Sequence, residues 1–476
     1  MKRIVLVLWV IAAASQAQLL KTFHMGAATP PQKGLAGNGI TDIKPDGAGT
    51  LWFGTGHGLS RTANDGESFE TYGTAVGVGH GSVCGLWASG DTVIVATATD
   101  TLTKASEQTL SKGTGISISF DGGATWSHYG QPGTTPVQNL AYDIEVLQGT
   151  VWITCFGGGL MKSEDWCKTW TVVTPDSFIF DPGKRLNHRA FAVVAGDGDL
   201  YVGTAEGVNK SADNGKTWVN YNHYNQSQAM SGNFITALGY QKTTSRRILW
   251  AATWKAEGTN EYYAVSKSEN GGLSWQTLLK DEQAHNFSFD DSVVYVATDN
   301  GLFKSIDYGQ TWYLFPAMRD QESSNRVYEL ETDSAYGRDG VIWAGTTDGL
   351  ARSSNNGYSW KIYRAFIATG QGGEPRTYAY PNPFSPMRHN QLGGDGHVRI
   401  QYNTLADTHV TIKVFDYAMD LVTTVVDNQF RRGPSDYSDV WNGRNDYGDG
   451  VANGVYFYRV ELDGDGVYWG KVMIVN

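Results

Sequence analysis

The stretch Ser305-Ile306-Asp307-Tyr308-Gly309-Gln310-Thr311-Trp312 decides the fold, because its pattern returns through most of the 476-residue chain. The pattern is Ser/Thr-x-Asp/Asn-x-Gly-x-Ser/Thr-aromatic, and a motif that recurs at regular spacing indicates a repeat architecture. Two copies depart from it: the first ends in Phe69, and the third has Cys167 at the glycine position. The seven copies begin at Thr62, Ser119, Ser163, Ser211, Ser268, Ser305 and Ser353.

A second repeated element precedes most copies. It alternates aromatic and small residues, as in Ile342-Trp343-Ala344-Gly345-Thr346, and a Gly-containing turn leads from it into a short strand and the eight-residue turn. A further strand comes before it, as at Ile40 to Lys44 and, by the same pattern, Val327 to Glu331. Four strands in roughly 50 residues make a propeller blade. The sequence therefore predicts an all-β fold, with a seven-bladed β-propeller over residues 18–366.

The third residue of each eight-residue turn has a structural role in this interpretation. Asp307 can accept hydrogen bonds from amides of its own turn, Gly309 permits a positive φ, and Trp312 can cover the hairpin beneath. No metal site is assigned to these residues. The same structural role is predicted for Asn64, Asp121, Asp165, Asp213, Asn270 and Asn355.

These repeats resemble the Asp-box, or BNR, repeats of sialidase-like propellers. The runs LWFGT and IWAGTTDGL, which begin at Leu51 and Ile342, also resemble two-component-regulator propeller repeats. The resemblance covers nearly all of residues 35–366. It implies the propeller fold, but the family contains hydrolases, assembly factors, receptors and non-catalytic surface proteins, so it does not decide the function.

The amino terminus predicts export. Lys2 and Arg3 precede the apolar stretch Ile4 to Ala14, and Ser15-Gln16-Ala17 offers small residues for cleavage, so residues 1–17 are predicted to be a signal peptide. The stretch is shorter than the ~20 residues of a spanning helix, and we expect no transmembrane segment in the mature chain. A net charge of −11 disfavours nucleic acid as a partner. We expect a bacterial protein that is secreted or held at the outer cell surface.

The cysteines exclude a disulfide-built scaffold, because Cys84, Cys155 and Cys167 are an odd number. A Cys155–Cys167 bridge and buried thiols both stay open. No Cys/His spacing typical of zinc occurs, and no cofactor is predicted. Calcium at the run Asp463 to Gly466 is an alternative to a plain hairpin turn.

The carboxy-terminal residues predict a second domain. A glycine-rich linker over residues 367–379 leads into residues 380–476, where alternating strands and a terminal hairpin predict a small immunoglobulin-like β-sandwich. The opening YPNPF at Tyr380, the segment WNGRNDYGDGVANGVYFYRVEL at Trp441 and the ending GKVMIV at Gly470 resemble FlgD-like domains and the sorting domains of type IX secretion substrates. The resemblance implies recognition by outer-membrane secretion machinery, with or without later cleavage. An ordinary accessory sandwich is the alternative.

The long insertions are predicted at the end of the ring opposite the eight-residue turns. They follow the second strand, at residues 99–115 and 255–263, or join successive units, at residues 174–189, 221–233 and 316–326. Long loops on a rigid scaffold commonly carry function, and aromatic rings with Arg or His suit sugars, peptides or acidic groups. The ligand-binding candidates there are His188, Arg189, Tyr224, Trp254, Tyr262, Tyr263 and Arg326.

Two functions stay open. The favoured hypothesis is a non-catalytic module that binds an extracellular glycan, peptide or protein. The alternative is a glycoside hydrolase of the Asp-box type, for which carboxylates about 5 to 10 Å apart are needed. A sialidase is disfavoured, because no arginine lies between Arg3 and Arg61 to match the first arginine of such enzymes. The hydrolase candidates are the carboxylates on predicted innermost strands, Asp143, Glu145, Glu329 and Glu331.

Overall fold

The computed structural model describes residues 34–102, 109–133, 138–256, 260–319, 332–365, 369, 375–387, 389 and 396–475. The predicted signal peptide lies outside these ranges, and so do Arg326, Glu329 and Glu331. The described residues form two compact units. The first comprises residues 34–318 and 332–365, and the second comprises Arg319 and the described residues from 369 onward. Both units are built from β-strands.

The first unit contains seven four-stranded antiparallel sheets, each formed by four consecutive strands. The first three sheets comprise β1 (Ile40–Pro45), β2 (Leu51–Thr55), β3 (Gly58–Thr62), β4 (Glu70–Tyr72); β5 (Ser82–Ser89), β6 (Thr92–Leu102), β7 (Thr109–Ser119), β8 (Ser127–Tyr129); β9 (Ala141–Leu147), β10 (Thr150–Cys155), β11 (Gly159–Ser163) and β12 (Thr171–Val173).

The fourth to seventh sheets repeat this order. They comprise β13 (Ala190–Gly196), β14 (Asp199–Thr204), β15 (Gly207–Ser211), β16 (Val219–Tyr221); β17 (Phe234–Lys242), β18 (Arg247–Trp254), β19 (Ala264–Ser268), β20 (Gln276–Leu278); β21 (Ala284–Asp290), β22 (Val293–Thr298), β23 (Gly301–Ser305), β24 (Tyr313–Leu314); β25 (Ser334–Arg338), β26 (Val341–Thr346), β27 (Gly349–Ser353) and β28 (Lys361–Tyr363).

The seven sheets close into a ring. The first strand of each sheet packs against the first strand of the next, and β1 packs against β25. The alternation of aromatic and small residues in the second strands serves this packing, because the aromatic side chain fills the space between neighbouring sheets. At the closing seam, Trp343 of β26 is buried with Ile40 of β1 and Phe53 of β2. This is the arrangement of a β-propeller.

Two predicted positions are wrong. The first strand of the seventh sheet is Ser334–Arg338, and the segment predicted for it, Val327 to Glu331, lies outside the described residues. Its sequence, Ser-Ala-Tyr-Gly-Arg, lacks the apolar alternation that favoured the earlier segment. The predicted loop over residues 99–115 is largely strand, because β6 continues to Leu102 and β7 begins at Thr109. Its Thr and Ser residues suggested a loop, although alternating Thr also suits an extended hairpin.

The strand order defines two ends of the ring. The eight-residue turns join third and fourth strands, and they share one end, the turn face, with the turns between first and second strands. The opposite end, the loop face, carries the loops between second and third strands and the connections between sheets. Two short 3-10 helices, Thr74–Val76 and Leu186–His188, lie in those connections.

The second unit has two sheets that pack face to face. The three-stranded sheet has the order β29 (Thr377–Tyr380), β30 (Val398–Thr404) and β33 (Ser435–Trp441). The four-stranded sheet has the order β32 (Leu421–Arg431), β31 (Thr408–Phe415), β34 (Gly454–Leu462) and β35 (Gly466–Ile474). Side chains from both sheets form one core, for example Ile400, Trp441, Ile412 and Tyr458. Along the part of the chain that the structure describes, no helix combines the length and hydropathy needed to cross a bilayer.

Candidate functional site

The eight-residue turns are closed by their own side chains. In the turn that begins at Ser305, Asp307 Oδ1 accepts the N–H groups of Gln310 and Thr311, both at 2.9 Å. The Thr311 hydroxyl donates to Asp307 Oδ2 at 2.6 Å, and the Gly309 N–H donates to Ser305 Oγ at 2.8 Å. The Thr311 hydroxyl, with the main-chain donors and Ser305, lowers the pKa of Asp307 to about 2.

The other six turns repeat this geometry. In each, the third residue accepts the N–H of the residue four positions later at 2.8 to 3.0 Å. Every carboxylate or amide of this set is therefore engaged in its own turn. The six residues are Asn64, Asp121, Asp165, Asp213, Asn270 and Asn355.

A central cavity of about 110 Å³ lies where the first strands converge. Its wall draws on the first strands of five of the seven sheets, so the ring itself creates it. Aromatic and apolar side chains share the wall with charged ones. The lining residues are Thr41, Asp42, Lys44, Tyr142, Asp143, Phe191, Thr236, Ala237, Leu238, His285, Asn286, Phe287 and Asp333.

Lys44 is the cation of this wall. Its Nζ lies 3.6 Å from Asp42 Oδ2, and Asp42 Oδ1 accepts a hydrogen bond from Asn286 Nδ2 at 3.3 Å. Burial by itself lowers the pKa of Lys44, but the carboxylates of Asp42, Asp143 and Glu145 outweigh burial and raise the pKa above its ordinary value. Lys44 therefore stays protonated at neutral pH, inside a negative potential.

Asp143 and Glu145 are held by main-chain amides. Asp143 accepts the N–H groups of Ile144 at 2.9 Å and Val193 at 3.0 Å. Glu145 accepts those of Val146 at 2.8 Å and Ala195 at 3.0 Å, and also the indole N–H of Trp87 at 3.1 Å. The bonds from Val193 and Ala195 join the third sheet to the fourth, and the bond from Trp87 joins the third sheet to the second. Burial raises the pKa of Glu145 although its main-chain donors oppose the shift.

Aromatic side chains continue from the cavity to the loop face. Ring centroids lie 5.5 Å apart for Tyr142 and Phe191, 4.5 Å for Phe191 and Phe234, and 6.4 Å for Phe234 and Trp254. Tyr263 meets Trp254 edge-on at 5.6 Å. We call these five residues the aromatic arc. Within the arc, Trp254 is only 7% exposed and donates its indole N–H to Ala284 O at 3.3 Å. It therefore packs against Phe234 and Tyr263 and does not itself face a ligand.

His188 and Arg189 end the connection formed by residues 174–189, and their side chains bond to earlier residues of that connection. The Asp181 N–H donates to His188 Nδ1 at 2.9 Å, which places the ring proton on Nε2, 2.8 Å from Asp176 Oδ1. Arg189 Nε donates to Pro182 O at 2.6 Å. Both predicted ligand-binding residues are buried and fix the loop from inside.

Tyr224, Tyr262 and Tyr263 reach the surface of the loop face. Tyr224 is 64% exposed, and the other two are half-buried. Lys280 Nζ lies 5.1 Å from the ring centre of Tyr262, and Lys255 Nζ lies 5.9 Å from that of Tyr263. Of the predicted ligand-binding residues that the structure describes, these three tyrosines are the ones placed where a ligand could touch them.

Sequence reasoning missed Glu261. This carboxylate is only 6% exposed, and its Oε1 accepts from the Tyr224 hydroxyl and from Asn233 Nδ2, both at 2.9 Å. Its Oε2 accepts the Ala256 N–H at 2.5 Å. Glu261 thus ties the connection over residues 222–233 to the loop over residues 255–263. A single Glu in an aromatic loop gives no sequence signal for this role.

Metal and thiol chemistry have no assembled site in the described ranges. No three His, Cys, Asp or Glu side chains of those ranges gather as metal ligands. Cys155 and Cys167 are buried thiols that are not bonded to each other, and burial raises the pKa of Cys167 to about 12.

Comparisons with known proteins agree with this architecture. The family described as "Two component regulator propeller" matches residues 34–57, and no curated protein sequence matches the chain. The GH74 enzyme of Niastella koreensis is 12% identical, with a TM-score of 0.53, over 95% of this chain and 74% of that chain. An ancestral GH74 enzyme is 15% identical, with a TM-score of 0.52, over 94% of this chain and 63% of that chain. The seven-sheet unit is a β-propeller.

A bacterial surface protein is also similar. PorZ, described as an essential surface component of the type-IX secretion system of Porphyromonas gingivalis, is 13% identical, with a TM-score of 0.43. The match covers 91% of this chain, which spans 65% of the PorZ chain. At such low sequence identities the similarity to solved structures concerns the fold alone, and the activity has to be argued from the residues of the site.

Proposed function

We propose that this chain is an exported, non-catalytic binding module that holds a glycan, peptide or protein on the loop face, at the mouth of the central cavity. The observation that carries the proposal is the aromatic arc, which leads from the cavity wall to the half-buried Tyr263 on the loop face. The neighbouring carboxylates of Asp143 and Glu145 are bound to main-chain N–H groups and offer no pair free for hydrolysis.

The loop face is organised before a ligand arrives. Glu261 bonds two loops together and fixes the hydroxyl of Tyr224 at 2.9 Å, while Lys255 and Lys280 lie close to the rings of Tyr263 and Tyr262. Rigid aromatic side chains lose little conformational entropy on binding, which favours affinity. Stacking on the rings and hydrogen bonds from the lysines suit sugar rings or peptide groups.

Binding is tested with the mature chain on glycan and peptide arrays. Tyr262→Ala and Tyr263→Ala should each weaken the bound signal roughly tenfold, because each removes an aromatic contact worth about 1 kcal/mol or more. Tyr358→Ala is the matched control, since Tyr358 is 86% exposed on the turn face. Signals that survive both loop-face variants, or fall equally in the control, would refute the loop-face site.

A glycoside hydrolase of the Asp-box type is the second candidate. Burial raises the pKa of Glu145, which is the direction that a general acid requires and therefore favours this candidate. The same preparation is incubated with a panel of polysaccharides, and new reducing ends are measured. We expect none above background. If the natural chain releases reducing ends and the Glu145→Gln variant does not, the protein is a hydrolase and the proposal of a non-catalytic binding module is wrong.

We further propose that the seven-sheet unit is an Asp-box propeller over residues 18–366 and that residues 380–476 are an immunoglobulin-like sorting domain. The final strand, β35, supports the second assignment, because it is paired with β34 and anchored by Phe384. The Phe384 N–H donates to Met473 O at 2.8 Å, and the Val475 N–H donates to Phe384 O at 2.9 Å. A signal at the carboxyl end is therefore presented in a folded sandwich.

Deletion of residues 377–476 tests sorting in a bacterium that has type IX secretion. We expect the truncated chain to accumulate in the periplasm with its amino terminus at Gln18, after removal of residues 1–17. Normal surface delivery of the truncated chain would leave the second unit as an accessory sandwich.

A further inference from the structure

The second unit exposes aromatic side chains on the outer side of its four-stranded sheet. Along β31 and β34 the inward residues are buried, along β35 they are buried or half-buried, and in all three strands the alternate residues are more exposed. Trp469 is 48% exposed and Met473 is 46% exposed. The outer sheet face, as we call it, consists of Lys413, Phe415, Phe457, Arg459, Glu461, Trp469, Lys471 and Met473.

Rings and cations alternate across this face. Lys413 pairs with Arg459, which pairs with Trp469, and in the adjacent row Phe415 pairs with Phe457, which pairs with Lys471. Neighbouring side chains on one sheet face lie close enough to act on the same ligand. Each row therefore combines an aromatic surface with at least one positive charge.

The rings pack around one guanidinium. The centroids of Phe415 and Trp469 lie 5.5 Å apart, and Arg459 Cζ lies 5.7 Å from the first and 5.9 Å from the second. Arg459 also pairs with Glu461 at 3.2 Å. The cation–π contacts hold the two rings in place, so the aromatic surface is formed without a ligand.

The charge of the face is opposite to that of the chain. Among the eight residues of the outer sheet face, Lys413, Arg459 and Lys471 stand beside one carboxylate, that of Glu461, while the whole chain carries −11. A local basic surface on an acidic protein favours an anionic partner, since opposite charge raises the rate and specificity of encounter.

Two other occupants fit this face poorly. A second copy of the chain, related by a two-fold axis, would bring the cations of one face against those of the other. A lipid bilayer would bury Arg459 at the centre of the face, and the desolvation of a charged group is costly. Charge and aromatic surface together call for a ligand with apolar ring faces and dispersed negative charge.

We propose that the outer sheet face binds an acidic polysaccharide, in which sugar rings stack on Phe415 and Trp469 and carboxylates meet Lys413 and Lys471. The site is separate from the loop face and does not depend on the function proposed there. Nucleic acid also combines rings with negative charge, but its dense phosphates are bound by many cations, often six or more, and this face has three.

The experiment measures binding of the mature full chain to octagalacturonate by calorimetry. The matched probe is the methyl-esterified octasaccharide, which keeps the rings and removes the charge, and a single-stranded DNA octamer tests phosphate. We expect the methyl ester and the DNA to bind roughly tenfold more weakly or less. Trp469→Ala and the double variant Lys413→Gln with Lys471→Gln should each weaken octagalacturonate binding roughly tenfold.

Two control variants locate the site. Tyr358→Ala changes an 86% exposed tyrosine of the first unit, and Tyr262→Ala changes the loop face. Both should bind octagalacturonate as the natural chain does. No binding, equal binding of the methyl ester or of DNA, or a loss caused by Tyr262→Ala alone would overturn the proposal. Trp469 is half exposed, and the double lysine variant keeps every aromatic ring. If one of the two variants unfolds, the other still measures how much the face contributes to binding.

Discussion

The third residue of each eight-residue turn occurs as Asp in four turns and as Asn in three. Both side chains accept the same main-chain N–H, but only Asp titrates. Because the folded state lowers the pKa of Asp307 from 3.8 to about 2, the stability that its charge contributes is complete above about pH 4. It is lost as the pH falls through 2, where the folded carboxylate takes up a proton.

We expect Asp307→Asn to make stability less dependent on pH between about 4 and 2. The midpoint of thermal unfolding is measured across this range for the natural chain and the variant. Asp307→Ala should lower the midpoint at pH 7 more than Asp307→Asn, because alanine removes the side-chain acceptor of the Gln310 and Thr311 amides. An identical acid profile for Asp307→Asn would contradict a role for the charge.

Substitution of Glu261 is expected to have a larger effect on stability, because this carboxylate is buried. Glu261→Ala removes the acceptor for Tyr224, Asn233 and Ala256 and should cost about 2 to 4 kcal/mol of unfolding free energy. Glu261→Gln keeps the shape and one acceptor oxygen, and its cost should be smaller. Urea unfolding measures both. Cleavage by a protease within residues 222–233 should accelerate in the alanine variant, and unchanged cleavage would show that another contact holds this loop.

The role of a residue could be predicted from the sequence only where its hydrogen-bond partners lie close to it along the chain. The acceptor role of Asp307 was predictable from eight residues, because all its partners lie in the same turn. The supporting roles of His188 and Trp254 were not predictable, since Asp176, Asp181 and Ala284 meet them only in the folded ring. The sequence of a long loop therefore does not show whether an aromatic residue or a histidine faces a ligand or the interior of the loop itself.

At the scale of elements, a cation on the third strand links several sheets to the next. Lys267 Nζ donates to Tyr308 O at 2.8 Å, and Lys304 Nζ reaches Asn356 Oδ1 at 3.1 Å. At the closing seam, Arg352 Nε donates to Asp65 Oδ1 at 2.9 Å, and its Nη2 binds Oδ2. Each cation also covers an aromatic ring of its own sheet. These contacts hold the eight-residue turns of one sheet against its neighbour.

We expect Arg352→Met to weaken the closing seam by about 1 to 2 kcal/mol, since it removes a two-point ion pair and a cation–π contact while keeping the apolar stem. Hydrogen exchange should rise in β1 and β25. Lys304→Met is the matched control at the preceding seam, where the amide partner makes the loss smaller. Equal exchange in β1 for both variants would show that Arg352 has no special role in closure.

The strand pattern was predictable for most sheets, because a buried second strand with alternating aromatics leaves a clear signal. The prediction from the strand pattern failed at β25, because this strand is short and contains glycine. Contacts with the neighbouring sheets determine its position. The Gly337 N–H donates to Ser288 Oγ at 3.0 Å, and Ser334 lies against the main chain of Ile40. Tertiary contacts of this kind override local preference and cannot be read from the segment.

At the scale of the molecule, both ends of the described seven-sheet unit lie at the closing seam. Leu35 is fully buried there, and the Ala365 N–H donates to Asn38 Oδ1 at 2.6 Å. Arg364 pairs with Asp348 at 3.0 Å, and both side chains are buried. Repeats predicted the number of sheets, but only the structure shows that closure uses contacts within this unit.

A chain that ends at Ala365 should therefore keep the propeller folded. By calorimetry, its unfolding midpoint should fall within about 3 °C of the corresponding transition of the full chain, because no sheet loses a neighbour. A chain that ends at Arg338 lacks β26, β27 and β28, exposes the apolar face that packs on Phe53, and should not unfold cooperatively. A midpoint lowered by about 10 °C or more in the longer variant would mean that the second unit contributes to ring stability.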